Sequence, residues 1–219
     1  MSELTLVIGN KNYSSWSLRP WLALRHAGIP FAEKMILLFD ENWKEAIAAV
    51  SPSGRVPVLL HGERTIWETL AILEYAHELF PEASLWPEDR DARAMARSIA
   101  NEMHAGFTAL RNCMPMNLRR TDLKGKGRGP GVAEDIARVC EIWRECRDRY
   151  CESGDFLFGG FGVADAMFAP VVTRLDTYGV ELDDTCTAYS RAVLALPAFV
   201  EWRDAALQEP WVVSEDEID

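Results

Sequence analysis

The chain is short of basic residues, of paired cysteines and of long apolar runs, and each shortage removes a class of function. Lys and Arg number 23 against 34 Asp and Glu, a formal net charge of −11. A phosphate backbone is repelled overall, so nucleic acid is not an expected partner. No run approaches the roughly 18 consecutive apolar residues of a membrane helix, and the opening residues carry no basic segment leading into an apolar one. Neither a membrane partner nor a secretory address is expected. Five cysteines, Cys113, Cys140, Cys146, Cys151 and Cys186, include no C-x-x-C pair, and His26, His61, His77 and His104 include no H-E-x-x-H motif. The expectation is no metal and a reducing, cytoplasmic setting.

What is present is the composition of a folded protein: 219 residues, 48% hydrophobic and 26% charged, enough for one large domain or two small ones. Strand and helix signals alternate over the first eighty or so residues. Leu4 to Ile8 reads as a strand and Ser17 to Ala27 as a helix stopped by Gly28 and Pro30. Phe31 to Leu37 suits a second strand, Glu41 to Ala49 a short helix, and Val58 to Leu60 with Thr65 to Trp67 a β-hairpin. A helix from Thr69 to about Phe80 completes a small mixed sheet with helices packed on it. After a connector bracketed by Pro81 and Pro87 the chain reads as helix alone. Apolar residues at spacings of three and four predict one helix from Asp89 to about Cys113. Further helices are predicted over Val132–Glu152, Ala164–Tyr178, Thr185–Leu196 and Ala198–Leu207, with no later strand. The expected domains are residues 1–81 and 88–219.

Three segments of the first domain carry polar groups suited to a ligand. Asn12 to Pro20 places Ser14, Ser15 and Ser17 where a strand hands over to a helix. The first N–H groups of a helix lack internal partners and, with the helix dipole, attract an anion; the plainer role of such serines is to cap the helix. Gly54-Arg55-Val56-Pro57 opens a strand with proline, where a cis Val56–Pro57 bond would present the main chain of Val56 beside the sheet. Glu68-Thr69 sets a carboxylate and a hydroxyl at the next helix start, where Thr69 as a simple N-cap is the plainer reading.

Taken together the three segments resemble the glutathione transferase superfamily over essentially the full chain. Ser14-Ser15-x-Ser17-x-Arg19 is similar to the serine motif of its zeta class. The resemblance implies an α/β thioredoxin-like N-terminal domain that binds glutathione, and an all-α C-terminal domain lining the second-substrate site. It implies reduced glutathione as co-substrate, with Ser14 donating to its sulfur. Ser15, Arg55, Val56, Pro57, Glu68 and Thr69 become glutathione-binding residues: Val56 pairs by backbone with the cysteinyl unit, Glu68 meets the α-amino group and Thr69 the neighbouring carboxylate. Trp43 or Lys44 is near the glycyl carboxylate, and Arg19 supports either the first helix or the site. It further implies a homodimer and an enzyme of detoxification that adds glutathione to a small electrophile. The alternatives are a glutathione-dependent cis–trans isomerase of the maleylacetoacetate type and a non-catalytic adaptor or ligand carrier. Trp16 stands where the zeta class has cysteine, and Gly162 replaces the Ser or Thr of the family's cap ahead of Asp165.

The chemistry is within reach of these groups. A thiol of pKa about 8.5 is only about 3% ionised at neutral pH, and lowering it by about two units is worth about 2.7 kcal/mol. A helix start contributes about 0.3–1 kcal/mol and a hydrogen bond to a charged sulfur about 1.5–3 kcal/mol, so no general base is needed. The stripe Met103, Phe107, Leu110 and Met114 reads as core. Asn117 to Gly131, with five basic side chains and Asp122, reads as a mobile surface loop, with a weaker reading that it draws anionic substrates to the cleft. The terminal Glu215 to Asp219 reads as a solvated tail.

Overall fold

The computed structural model describes residues 3–218. Strand β1 (Leu4–Ile8) lies inside a four-stranded sheet of order β2-β1-β3-β4. Strand β2 (Ala32–Met35) runs parallel to it, with Leu6 opposite Glu33. Strand β3 (Val58–His61) runs antiparallel, with Leu6 opposite Leu59, and β4 (Arg64–Trp67) closes the hairpin. Side chains alternate across a strand. Leu4, Leu6 and Ile8 therefore enter the main core with helices α1 (Ser15–His26) and α3 (Thr69–Leu79). Val7 enters a smaller cluster with Ile36, Val58 and Ile47 of α2 (Trp43–Ala48). This is the thioredoxin-like arrangement expected of the first domain.

The rest is helical: α4 (Arg90–Ala105), α5 (Thr108–Cys113), α6 (Val132–Tyr150), α7 (Val163–Thr177), α8 (Asp184–Ala195) and α9 (Pro197–Leu207). Helix α7 is buried from Val163 to Leu175 and packs on α1, α4 and α8, so it joins the two domains into one core. Asp165 fixes its start. One carboxylate oxygen accepts the Gly162 amide at 2.9 Å and the other the Leu157 amide at 3.0 Å, satisfying two donors that burial would otherwise leave unpaired.

Three expectations need correction. The helix predicted over 89–113 is two, α4 and α5, broken at Gly106 and at Phe107, whose φ is 55°. A Cβ on Gly106 would meet the Glu102 carbonyl at 2.8 Å, so glycine lets the chain turn there. Apolar spacing missed the break because Met103, Phe107, Leu110 and Met114 still all face the core, as expected of them. No strand follows β4 among the described residues, as expected; only isolated bridges pair Phe156 with Gly159 and Phe158 with Gly160. The basic segment is tied to the protein: Arg119 donates to the Tyr13 hydroxyl at 2.8 Å and the Trp211 carbonyl at 2.6 Å, and Arg120 pairs with Asp122 and Glu217. The tail folds back likewise, with Glu217 accepting from Tyr13 at 2.7 Å and Asn117 at 2.8 Å. Asp219 lies outside the described residues.

Candidate active site

Ser14 ends the loop between β1 and α1 and occupies the N-cap position without capping. Its hydroxyl turns to Ser17 Oγ at 2.8 Å, and Ser17 Oγ accepts the Gly9 amide at 3.0 Å. Ser14 is 8% exposed and lies close to Gly9, just past the end of β1. Ser15 Oγ accepts from Arg174 at 3.3 Å, and its carbonyl accepts from Arg19 at 2.7 Å. Arg19 also donates to the Met167 carbonyl at 3.0 Å, so it holds the start of α1 against α7.

The other two segments converge on the same helix start. Ser51 Oγ donates to the Arg55 carbonyl at 2.7 Å and shapes the turn before the Val56–Pro57 bond, which is cis. Glu68 precedes α3 with φ 68° and ψ 130°, a conformation rare outside glycine. Thr69 is the first residue of α3 and not its cap; its hydroxyl donates to the Trp16 carbonyl at 3.2 Å. That carbonyl is free because the residue four further on, Pro20, has no N–H to give it. A proline inside α1 therefore ties the two helix starts together.

Between them is a cavity of about 240 Å³ lined by Arg55, Pro57, Glu68 and Thr69 of the expected set, with Trp16, Ser53, His104 and Arg111. Val56, which is half-buried, and Ser14 and Ser15 are not among its lining residues. Trp43 and Lys44 do not line it either, Lys44 lying over the Trp43 ring. A larger cavity, about 370 Å³, opens by the interdomain connector at Trp86 and Phe161 and holds none of the expected site residues.

Sequence reading missed His104, Arg111, Arg174 and the role of Trp16. His104 Nε2 is 3.8 Å from Glu68, and its ring lies 5.2 Å from that of Trp16. Arg19 and Arg111 lie 4.1 and 4.9 Å from the Trp16 ring centre, within reach of cation–π attraction. Neither these two nor Arg174 forms an ion pair among the described residues. Burial and then the neighbouring Arg174 and Arg111 push Arg19 well below the ordinary guanidinium range. Burial and then Arg111 push Arg174 down to about 10, and burial lowers Arg111. The charges of Arg111, Arg174 and Arg19 repel one another around the start of α1, Asp216 offsetting part of this at Arg174, and an anion placed among them is favoured. No residue spacing marks this set, since α1, α5 and α7 each contribute one arginine.

Comparison with known proteins identifies both halves of the chain. Residues 13–79 match the family described as Glutathione S-transferase, N-terminal domain, and residues 92–205 its C-terminal domain. The chain is 36% identical over 175 residues to a protein named glutathione S-transferase 1 from Dianthus caryophyllus, covering 77% of each. It is 25% identical over 191 residues to a probable maleylacetoacetate isomerase of Caenorhabditis elegans, covering 85% of this chain and 86% of that one. Among solved structures, a Burkholderia glutathione transferase homologue with bound glutathione superposes with a TM-score of 0.70 at 23% identity, over 94% of this chain and 98% of that one. Among the described residues no helix is long and apolar enough to cross a membrane, and no group of three or more His, Cys, Asp or Glu side chains is placed to hold a metal ion.

Proposed function

The chain belongs to the glutathione S-transferase family, and from that premise we propose that it binds reduced glutathione with the sulfur at Ser14 and adds the thiolate to an electrophile that carries a carboxylate. The observation that carries the reading is the Ser14 hydroxyl at the start of α1, with Arg19 and Arg174 bonded to the next residue, Ser15, and Arg111 over Trp16, none of the three in an ion pair among the described residues. Hydroxyl and arginines both favour negative charge. The thiolate is stabilised by the hydroxyl and the helix start, with Arg19 and Arg174 at the neighbouring Ser15. A second anion finds Arg111, which lines the cavity and, among the described residues, donates to the Gly106 carbonyl alone. Glu68 and the amides that open α3 suit the γ-glutamyl end, Glu68 for the amino group and Thr69 for the carboxylate. The main chain of Val56 at the cis Pro57 suits the cysteinyl unit, and Ser15 and Arg55 flank the tripeptide.

A cis–trans isomerase acting on an unsaturated diacid is the second reading. The arginines favour it, and relatives named maleylacetoacetate isomerase support it. Exposed Met35, Phe39 and Trp67 support a homodimer buried through the first domain, and five free cysteines support a reducing, cytoplasmic setting.

The test is calorimetry with reduced glutathione, followed by turnover of maleylacetone, a haloaromatic and an organic hydroperoxide. Binding with fastest turnover of the carboxylate substrate is expected; no binding at millimolar glutathione rejects the reading in favour of an adaptor. Sedimentation near 24.7 kDa, the mass of one chain, rejects the dimer.

A further inference from the structure

We infer that Glu209, just beyond α9, is a positioning residue that sets where Ser14 presents its hydroxyl; the inference rests on the thiolate reading above. The loop that delivers Ser14 makes one tight turn, in which the Asn10 carbonyl accepts the amides of Tyr13 at 3.2 Å and Ser14 at 2.8 Å. The amides of Lys11 and Asn12 find their partners far along the chain. Glu209 Oε1 accepts the Lys11 amide at 2.7 Å and Oε2 the Asn12 amide at 3.0 Å, across nearly the whole length of the sequence.

Burying a carboxylate is unfavourable, and Glu209 is 8% exposed. Water satisfies two amides without fixing either, whereas both oxygens of one held carboxylate fix them together. Glu209 is itself held: its carbonyl accepts from Arg119 Nη1, and the Arg119 amide returns to Asn12 Oδ1 at 3.0 Å. The Trp202 indole of α9 donates to the Lys11 carbonyl at 3.0 Å. The loop is thus clamped from the helical domain on both sides, two residues before Ser14. A displacement of about 1 Å at a reacting group costs on the order of a hundredfold in rate, so a clamp at this distance governs the geometry of the hydroxyl toward sulfur.

The test uses the full chain with Glu209→Gln, which keeps the side chain's size but turns an amide NH2 toward one of the two backbone donors. Thiolate absorbance of bound glutathione is followed against pH, alongside calorimetry and thermal unfolding. The expected variant is folded and binds glutathione within about threefold of wild type at about pH 6, where the thiol is protonated. Its thiol pKa is expected to rise by about one unit, and kcat to fall about threefold at neutral pH with little change in KM. A folded variant with the wild-type thiol pKa overturns the inference. Should Glu209→Gln not fold, Glu209→Asp, charged but too short to reach both amides, is judged by the same criterion. A wild-type chain that binds glutathione without lowering its thiol pKa overturns the thiolate reading and this inference with it. A lowered pKa retained in the variant overturns this inference alone.

Discussion

Ser14 and Ser17 place their hydroxyl oxygens 2.8 Å apart, with the Gly9 amide donating to Ser17 at 3.0 Å. A hydroxyl donates once and can accept twice. When a thiolate arrives, Ser17 can turn its own proton to Ser14 while keeping the Gly9 bond, and Ser14 then donates to sulfur. Ser14→Ala removes a bond of about 1.5–3 kcal/mol to a charged acceptor, so the thiol pKa of bound glutathione is expected to rise by about one to two units. Ser17→Ala is expected to raise it by less than about one unit, because only the relay is lost. Thiolate absorbance titrations measure both, and a larger effect at Ser17 would reverse the two roles.

Glu68 keeps a backbone conformation, φ 68° and ψ 130°, that suits glycine, at a cost of about 1–3 kcal/mol. The strain aims its exposed carboxylate across the cavity mouth near His104. Glu68→Gly should therefore raise unfolding stability by about 1 kcal/mol, the relief being partly offset by glycine's entropy, while glutathione affinity falls about tenfold or more. Urea unfolding and calorimetry give the two numbers; a destabilised variant would show that the strain is compensated locally.

Asp165 accepts two amides at the start of α7. Asp165→Ala leaves both without a partner in a buried setting and should cost about 2–4 kcal/mol. Restoring a cap hydroxyl with Gly162→Ser should not stabilise the fold, because its Cβ would stand 3.0 Å from the Leu85 carbonyl and serine improves on glycine at an N-cap by only a few tenths of a kcal/mol. Equilibrium unfolding of the two variants checks both.

How much of this was legible follows the range of each interaction. The sheet and its helices were, because the β-favouring run Leu4 to Ile8 and the helix stop at Gly28 and Pro30 are local signals. Arg55, Pro57, Glu68 and Thr69, which line one cavity, were singled out by the family resemblance, since alone a turn or a helix start reads as structural. Pro20 was visible, but its consequence, a free Trp16 carbonyl that takes the Thr69 hydroxyl, needs the packing of α1 on α3. The break at Gly106 was hidden because the apolar stripe runs through it. Arg111, Arg174 and Glu209 were invisible for a different reason: each acts on a loop or helix more than ninety residues away, and no spacing encodes that.

Arg111 separates substrate recognition from thiol activation. It lines the cavity and stacks on Trp16, while Arg174 reaches Ser15 and Arg19 is fully buried. Arg111→Met keeps the reach of the side chain over the indole and deletes the charge. A hydrogen bond from a charged group contributes about 1.5–3 kcal/mol, so kcat/KM for a carboxylate-bearing electrophile should fall about tenfold to a hundredfold. A neutral haloaromatic should change by less than about threefold, since nothing in it needs a cation. The same substitution removes a repulsion that lowers both Arg19 and Arg174, so Tm should rise even as activity on the anionic substrate is lost. Equal losses on both substrates would mean that Arg111 serves the thiolate and not the electrophile, and the carboxylate would then have to be dropped from the proposed substrate.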